Sequence, residues 1–179
     1  MSPVDRGIEA SMSQPGSGLR VFIDDEFVAT AVLRFDVASR TASAIRDVLP
    51  LEATLMHITC SGEGVFFPID AELAIDTVPG GAGSDGVTDE GVVVHGLPLV
   101  HPENLTVYLS QGDFVLTPDK ACIIAYGRRC IVRSYVGDLP SNAFAYMRDP
   151  DGLDRLEILA KRTLKEGAKT IRLEPDTTR

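Results

Sequence analysis

The residues of this sequence that could do acid–base or metal chemistry are few. The histidines are His57, His95 and His101, and imidazole is the side chain that changes charge near neutral pH. His95 and His101 lie in a segment rich in glycine and proline, and no recognised metal-ligand spacing surrounds them. We therefore expect two solvated loop histidines, with no metal and no cofactor.

His57 and Glu63 are the candidates for general acid–base catalysis. His57 lies within an expected strand at 53–61, and Glu63 follows in the run Ser-Gly-Glu-Gly at 61–64. The alternatives are a hydrogen-bonded structural histidine and a simple turn whose glutamate stays in water. The run lacks the strand–turn–helix setting of a nucleophile elbow, so serine hydrolase chemistry is not indicated.

Arginine and tyrosine side chains form the candidate binding site. Arg128, Arg129 and Arg133 are a basic cluster, flanked by Tyr126 and Tyr135. Guanidinium groups bind carboxylates and phosphates through charge-assisted hydrogen bonds. We predict Tyr126, Arg129 and Arg133 as ligand-binding residues and favour Arg133, because it lies within an expected strand. The alternative is that Arg128 and Arg129 flank a hairpin turn in solvent.

The elements that must position these residues are mostly short strands. The first helix is expected to begin near an N-cap signal at Asp36 to Ser39 and to end at Pro50, and the second to begin at Asp149 and end at Gly167. Many short strands with two helices indicate an α+β, mainly β fold, a closed antiparallel barrel of about eight strands whose ends the helices cover. Runs of apolar or β-branched residues between turn signals predict strands at 19–23, 27–33, 53–61, 65–67, 105–109, 113–117, 121–126, 130–135 and 143–147, with further short strands at 72–75 and 92–94.

Length and charge exclude several classes of protein. The chain has 179 residues and a formal net charge of −9, and between Arg46 and Lys120 it has no Lys or Arg but 12 Asp and Glu. Binding to nucleic acid depends on neutralising phosphates, so this balance argues against nucleic acid as a partner. No apolar run approaches the roughly 20 residues that span a bilayer, so we expect no membrane partner.

The chain is expected to form one domain. We predict a disordered tail at 1–18, a barrel domain at 19–173 with a Gly-rich excursion at 76–101, and a second tail at 174–179. The stretch 92–100 is apolar for a loop, and it suggests self-association. The cysteines Cys60, Cys122 and Cys130 show no C-x-x-C spacing, so we expect reduced thiols and a cytoplasmic protein.

Several stretches of the sequence together resemble one known family. They are Leu-Pro-Leu-Glu-Ala at 49–53, His-Ile-Thr-Cys-Ser-Gly-Glu-Gly-Val-Phe-Phe-Pro at 57–68, Pro-Glu-Asn-Leu-Thr at 102–106, Gln-Gly-Asp-Phe-Val-Leu at 111–116, Ile-Ala-Tyr-Gly at 124–127 and Asn-Ala-Phe at 142–144. In this order they resemble a family of uncharacterised bacterial proteins known as DUF3830. The similarity covers about residues 19–170 and implies a cyclophilin-like barrel of eight strands closed by two helices.

The resemblance implies a fold more firmly than an activity. Cyclophilin prolyl isomerases carry an arginine on the strand after the first helix, and here Ile58 stands at the comparable place. The missing guanidinium disfavours prolyl isomerase activity. We expect a protein that binds a small anionic molecule at one end of the barrel, with no reaction assigned. The alternative is an interaction or self-assembly module without catalysis.

Overall fold

The computed structural model describes residues 16–75, 77–78, 85–87, 93–95, 99–134 and 137–177. The helices in these ranges are α1 (Ser39–Asp47) and α2 (Pro150–Glu166). The strands in chain order are β1 (Gly18–Ile23), β2 (Glu26–Leu33), β3 (Leu51–His57), β4 (Gly62–Pro68), β5 (Thr77–Val78), β6 (Asp85–Val87), β7 (Val93–His95), β8 (Leu99–Val100), β9 (Leu105–Thr106), β10 (Tyr108–Leu109), β11 (Asp113–Leu116), β12 (Ala121–Ile131), β13 (Arg133–Ser134), β14 (Gly137–Asp138), β15 (Ser141–Tyr146) and β16 (Lys169–Pro175).

Eight of these strands form a closed barrel. Their order around the ring is β12, β11, β15, β2, β1, β16, β3 and β4, and β4 pairs with β12 to close it. All of these pairings are antiparallel. The prediction of an α+β, mainly β fold, with a closed antiparallel barrel of eight strands and two helices, is confirmed.

Alternate side chains of the strands fill the barrel interior. On β1, Val21 and Ile23 are buried, and they register with Leu173 and Ile171 of β16, which are also buried. A second, smaller apolar cluster lies on the other face of β11 and β12. The largest fully buried aromatic side chains are Phe67, Phe114 and Phe144.

The helices pack against different strands of the barrel. Helix α2 packs against β2, β3 and β12, whereas α1 packs against β15. The expected ends of α2 are confirmed: the Asp149 side chain accepts a hydrogen bond from the Gly152 N–H at 2.8 Å, and Gly167 follows the helix with φ +89°. Helix α2 therefore begins and ends where its local sequence directs.

Helix α1 has a different N-terminal cap from the one that the sequence suggests. Its N-cap residue is Ala38, whose side chain forms no capping bond. Instead the carboxylate of Glu103, remote in sequence, accepts from the backbone N–H groups of Arg40 and Thr41, both at 2.8 Å, and from the Thr41 hydroxyl at 2.6 Å. Helix α1 thus begins within the expected segment 36–39. A side-chain cap from that segment is wrong, because a tertiary contact satisfies these donors.

The hairpin expected between 121–126 and 130–135 is also wrong. Residues Ala121–Ile131 form one strand, β12, which contains a bulge rather than a turn. The glycine and arginines at 127–129 match a turn signal, but β4 pairs with the strand on both sides of them.

The boundaries expected for the two tails need correction. Ser17 is buried and its carbonyl accepts from the Leu33 N–H, and Gly18 begins β1, so the first tail is shorter than 1–18. The boundary expected at 173 falls inside β16, a strand missing from the sequence-based prediction. The local signal for β16 is the alternation of Ile171 and Leu173 after Gly167. Residues 72–75 form no strand.

The structure describes only short parts of the Gly-rich excursion at 76–101. There β5 pairs with β8 and β6 pairs with β7, each antiparallel. The other residues of the excursion up to 98, and residues 1–15, lie outside the described residues.

Candidate functional site

The candidate site is built on the bulge of β12. Where β12 pairs with β4, Ala125 lies opposite Gly64 and Cys130 lies opposite Gly62. The four residues 126–129 therefore all lie opposite the single residue Glu63. The Glu63 carboxylate accepts from the backbone N–H of Arg129 at 3.0 Å. Bulges of this kind redirect side chains and are frequent beside functional sites.

Two glycines make this bulge possible. Gly62 has φ +83°, and a Cβ there would lie 2.2 Å from the carbonyl oxygen of Arg129. A Cβ on Gly127 would lie 2.5 Å from Oε2 of Glu63. Because real Cβ atoms do not approach other atoms so closely, both positions require glycine for this geometry.

A polar cavity of about 420 Å³ lies between the bulge and helix α2. The Gln111 side chain donates to the carbonyl of Tyr126 at 3.0 Å and so links the cavity to the strand beneath it. On α2 the acidic residues of the cavity stand three positions apart, which places them on one face of the helix. The lining residues are Glu63, Gln111, Gly127, Arg128, Arg129, Asp154 and Glu157.

The arginines of the cavity have no directly bonded partner among the described residues. Arg128 and Arg129 are exposed, and within the described part of the chain neither guanidinium has a hydrogen bond or ion pair. Asp154 likewise has no partner among the described residues, whereas Glu157 pairs with Lys161. The site therefore presents two free guanidinium groups to a small cavity.

His57 and Tyr126 form a hydrogen-bonded pair across β4. Nε2 of His57 lies 2.8 Å from the Tyr126 hydroxyl, and the ring centroids are 5.7 Å apart. Tyr126 is only 3% exposed. Nδ1 of His57 is buried and has no hydrogen-bond partner among the described residues.

The surroundings keep both members of this pair neutral near pH 7. Burial lowers the pKa of His57, and the backbone of Ile58 opposes part of the shift without a well-aligned hydrogen bond to Nδ1. Burial raises the pKa of Tyr126, and the negative charge of Glu63 raises it further. A neutral imidazole bonded to a neutral phenol can accept or pass on one proton.

The structure brings most of the predicted site residues together at one end of the barrel. Tyr126 and Arg129 belong to the bulge, His57 is bonded to Tyr126, and Glu63 is bonded to Arg129. Although both side chains are described, His57 and Glu63 share no hydrogen bond. Arg133 lies on β13, and its Nε donates to Asp138 of β14 at 2.8 Å.

Other residues of the site are missing from the sequence-based prediction. Arg128 belongs to the predicted basic cluster but not to the predicted ligand-binding residues, and Gln111 and Asp154 belong to neither. The acidic face of α2, with Asp154 and Glu157 three residues apart, is a readable signal. Its position opposite the arginines depends on tertiary packing, which no local pattern reveals.

The other features predicted from the sequence are not part of the cavity lining. The His101 ring lies close to the Pro102 carbonyl, and His95 belongs to β7. Within the described ranges, no cluster of three or more His, Cys, Asp or Glu is arranged to hold a metal ion. In the stretch proposed for self-association, residues 92 and 96–98 lie outside the described residues, and the Val100 side chain packs in the barrel core.

The cysteines are free, as expected. Cys60 is exposed, and Cys122 and Cys130 are buried. Burial, with smaller contributions from Glu63 and Asp113, raises the pKa of Cys130 to about 12, so its thiol is not a nucleophile at neutral pH. None of the helices in the described ranges has the length and apolar character needed to cross a membrane.

Comparisons with known proteins show one family model that matches this sequence and solved structures that resemble its fold. A family model described as "Protein of unknown function (DUF3830)" matches residues 23–175, and no curated protein matches the chain. The structure resembles that of McbB in complex with tryptophan, with a TM-score of 0.63, 14% identity and coverage of 90% of this chain but 45% of McbB. It also resembles the hypothetical protein AF2241 from Archaeoglobus fulgidus, with a TM-score of 0.53, 16% identity and coverage of 91% and 98%. The chain thus corresponds to less than half of McbB and to nearly all of AF2241.

Proposed function

We propose, starting from the fact that this chain belongs to the DUF3830 family, that the protein binds a small molecule with an anionic group at the bulged end of its barrel. The observation that carries the proposal is that two guanidinium groups, those of Arg128 and Arg129, line one cavity and have no partner among the described residues. The proposal is for binding, and it assigns no reaction.

The physical basis is the preference of guanidinium for carboxylate and phosphate oxygens. Charge-assisted hydrogen bonds from two arginines give both affinity and orientation, especially where a cavity excludes part of the water. The backbone N–H of Arg129 donates to Glu63, so the point of the strand from which this side chain extends is fixed before a ligand arrives. Arg133, favoured on sequence grounds, is less suitable because Asp138 already neutralises it.

The His57–Tyr126 pair lies close to this anion site. Glu63 and the charged residues Lys161 and Glu157 all act electrostatically on Tyr126, which indicates their proximity to it. We propose that the neutral pair forms the polar floor of the ligand site.

One of the two structural neighbours was solved in complex with a small molecule, which supports the proposal. McbB was solved with tryptophan, a small molecule that carries a carboxylate. We also propose that the barrel is a relative of the cyclophilin fold without prolyl isomerase activity. In support, Ile58 is buried in the second apolar cluster, where a guanidinium could not replace it without a large desolvation cost.

The cellular setting is part of the same proposal. Three free cysteines, one of them exposed, are typical of a protein in a reducing compartment, and we propose the bacterial cytoplasm. Self-association through 92–100 stays a prediction, which size-exclusion chromatography with light scattering on a variant lacking residues 80–96 would test.

The experiment that tests the binding proposal is a thermal-shift screen. Wild-type protein, Arg129→Ala and Arg133→Ala are each heated with a panel of small carboxylates, free amino acids among them, and small phosphates. We expect at least one compound to raise the Tm of the wild type and of Arg133→Ala, but not that of Arg129→Ala. A wild type that responds to no compound, or an equal response in all three proteins, would overturn the proposal.

A further inference from the structure

The two walls of the cavity carry opposite charges that do not neutralise each other. The strand wall presents Arg128 and Arg129, and the helix wall presents Asp154 and Glu157. Within the described residues, no carboxylate oxygen lies within 4.0 Å of the nitrogens of either guanidinium. Among the described residues, no ion pair therefore joins the strand wall to the helix wall across the cavity.

The total charge of the lining is unfavourable for a simple anion. Two arginines face three carboxylates, those of Glu63, Asp154 and Glu157. A ligand that carries only negative charge would be attracted by the arginines and repelled by the carboxylates. At short range the two effects are of comparable size. A ligand that also carries a positive group would turn these carboxylates into partners.

The three carboxylates differ in their availability. Glu63 accepts the Arg129 backbone N–H, and Glu157 pairs with Lys161 one turn along α2. Asp154 has no partner in the described part of the chain. The free groups of the cavity are thus two guanidiniums on one wall and one carboxylate on the other.

We infer that the ligand is a small zwitterion of the amino-acid class. Its carboxylate binds Arg128 and Arg129, and its ammonium group binds Asp154 on α2, with Glu157 beside it. This inference rests on the proposed function, because it needs the same two arginines, and it adds the group that the helix recognises. The cavity of about 420 Å³ has room for an amino acid together with its side chain.

The test is calorimetric titration with matched compounds. A panel of free L-amino acids is compared with the N-acetylated amino acids, which lack the ammonium, and with the amino-acid amides, which lack the carboxylate. We expect a free amino acid to bind wild-type protein, and each modification to weaken binding by about tenfold or more. The Asp154→Asn variant should lose about tenfold for the free amino acid and nothing for its N-acetyl form.

Control variants and compounds distinguish this inference from the proposed function on which it rests. Asp151→Asn, one turn earlier on α2, and Arg162→Ala, whose guanidinium pairs with Glu26, should bind as the wild type does. Equal binding of free and N-acetylated amino acids, lost in Arg129→Ala, would overturn the zwitterion and leave the anion site intact. Absence of binding by every compound in both series would overturn the zwitterion, and a thermal-shift screen in which no phosphate or other carboxylate binds either would overturn the anion site as well.

Discussion

His57 is a neutral base held at the end of the barrel, and its ionisation links the candidate site to the stability of the fold. The protonated imidazole loses hydration where the ring is buried, and this lowers the pKa in the folded protein below its ordinary value of 6.5. The unfolded chain therefore binds more protons than the folded protein in the pH range just below 6.5. Stability falls as the pH decreases through this range.

Replacement of His57 should remove this pH dependence. We expect the free energy of unfolding of the wild type to decrease from about pH 7 to about pH 5, and that of His57→Gln to decrease less. The measurement is urea denaturation at closely spaced pH values across this range. His101→Gln, which changes a histidine outside the barrel core, serves as the control and should behave like the wild type. Identical pH profiles for His57→Gln and the wild type would contradict the role of the buried ring.

Glu103 also makes the fold less stable as the pH decreases, but over a more acidic range than His57. Burial tends to raise its pKa, but hydrogen bonds from the Thr41 hydroxyl and from the N–H groups of Arg40 and Thr41 outweigh it, so the pKa is lowered. The folded state therefore favours the carboxylate. This stabilisation is present above the ordinary value near 4.5 and is lost as the pH falls through the folded-state pKa.

The Glu103→Gln variant should lose the cap of α1. We expect a destabilisation of about 1 kcal/mol at neutral pH, typical of losing an N-terminal cap. The difference from the wild type should shrink as the pH is lowered below 4.5, since the wild-type carboxylate then becomes protonated too. Urea denaturation at neutral and acidic pH measures this, with Glu72→Gln, an exposed carboxylate, as the control. A difference that grows on acidification would show that the carboxylate is not the cap.

At the scale of elements, the bulge of β12 is the feature that creates the site. Glu63 fills the position opposite four residues of β12, and Gly62 allows the backbone of Arg129 to approach. The same glycine should therefore be intolerant of a side chain. The cost of a side chain at Gly62 should come from the close Arg129 carbonyl as well as from the positive φ.

A comparison of two glycines separates these effects. Gly167 has φ +89° with no atom within 4 Å of the place that a Cβ would occupy, whereas Gly62 has φ +83° and a backbone oxygen 2.2 Å from that place. Gly167→Ala should cost roughly 1–3 kcal/mol, because φ +89° with ψ −169° is a backbone region that essentially only glycine adopts. Gly62→Ala should cost more, because the backbone of β12 must also move. Thermal denaturation compares the two. Equal losses would mean that the bulge yields without strain.

At the scale of the whole molecule, closure of the barrel depends on its last strand. β16 lies between β1 and β3, so the ring opens without it. Chains ending at residue 177 should retain the wild-type Tm. Chains ending at 168 should not fold, because β1 and β3 would each gain an unpaired edge over a barrel core left open. Circular dichroism melting distinguishes them, and a cooperative transition in the chain ending at 168 would refute the role of β16.

Much of this architecture can be predicted from local patterns, and the site only in part. The strands containing Val21 and Ile124 follow from runs of apolar residues, and the ends of α2 follow from Asp149 and Gly167. The bulge is mistaken for a turn because a glycine followed by two arginines has the composition of a turn. The Glu103 cap, the Arg133–Asp138 pair and the position of Asp154 opposite the arginines all depend on contacts between distant segments.

The anion site that we propose depends on Arg128 and Arg129 acting together on one ligand group. Its most direct test is isothermal titration of the strongest compound from the screen into the wild type, the double variant Arg128→Ala/Arg129→Ala, and Arg133→Ala. We expect affinity at least about tenfold weaker in the double variant, with Arg133→Ala equal to the wild type. Undiminished affinity in the double variant, or a loss confined to Arg133→Ala, would contradict the assignment of the site to these two arginines.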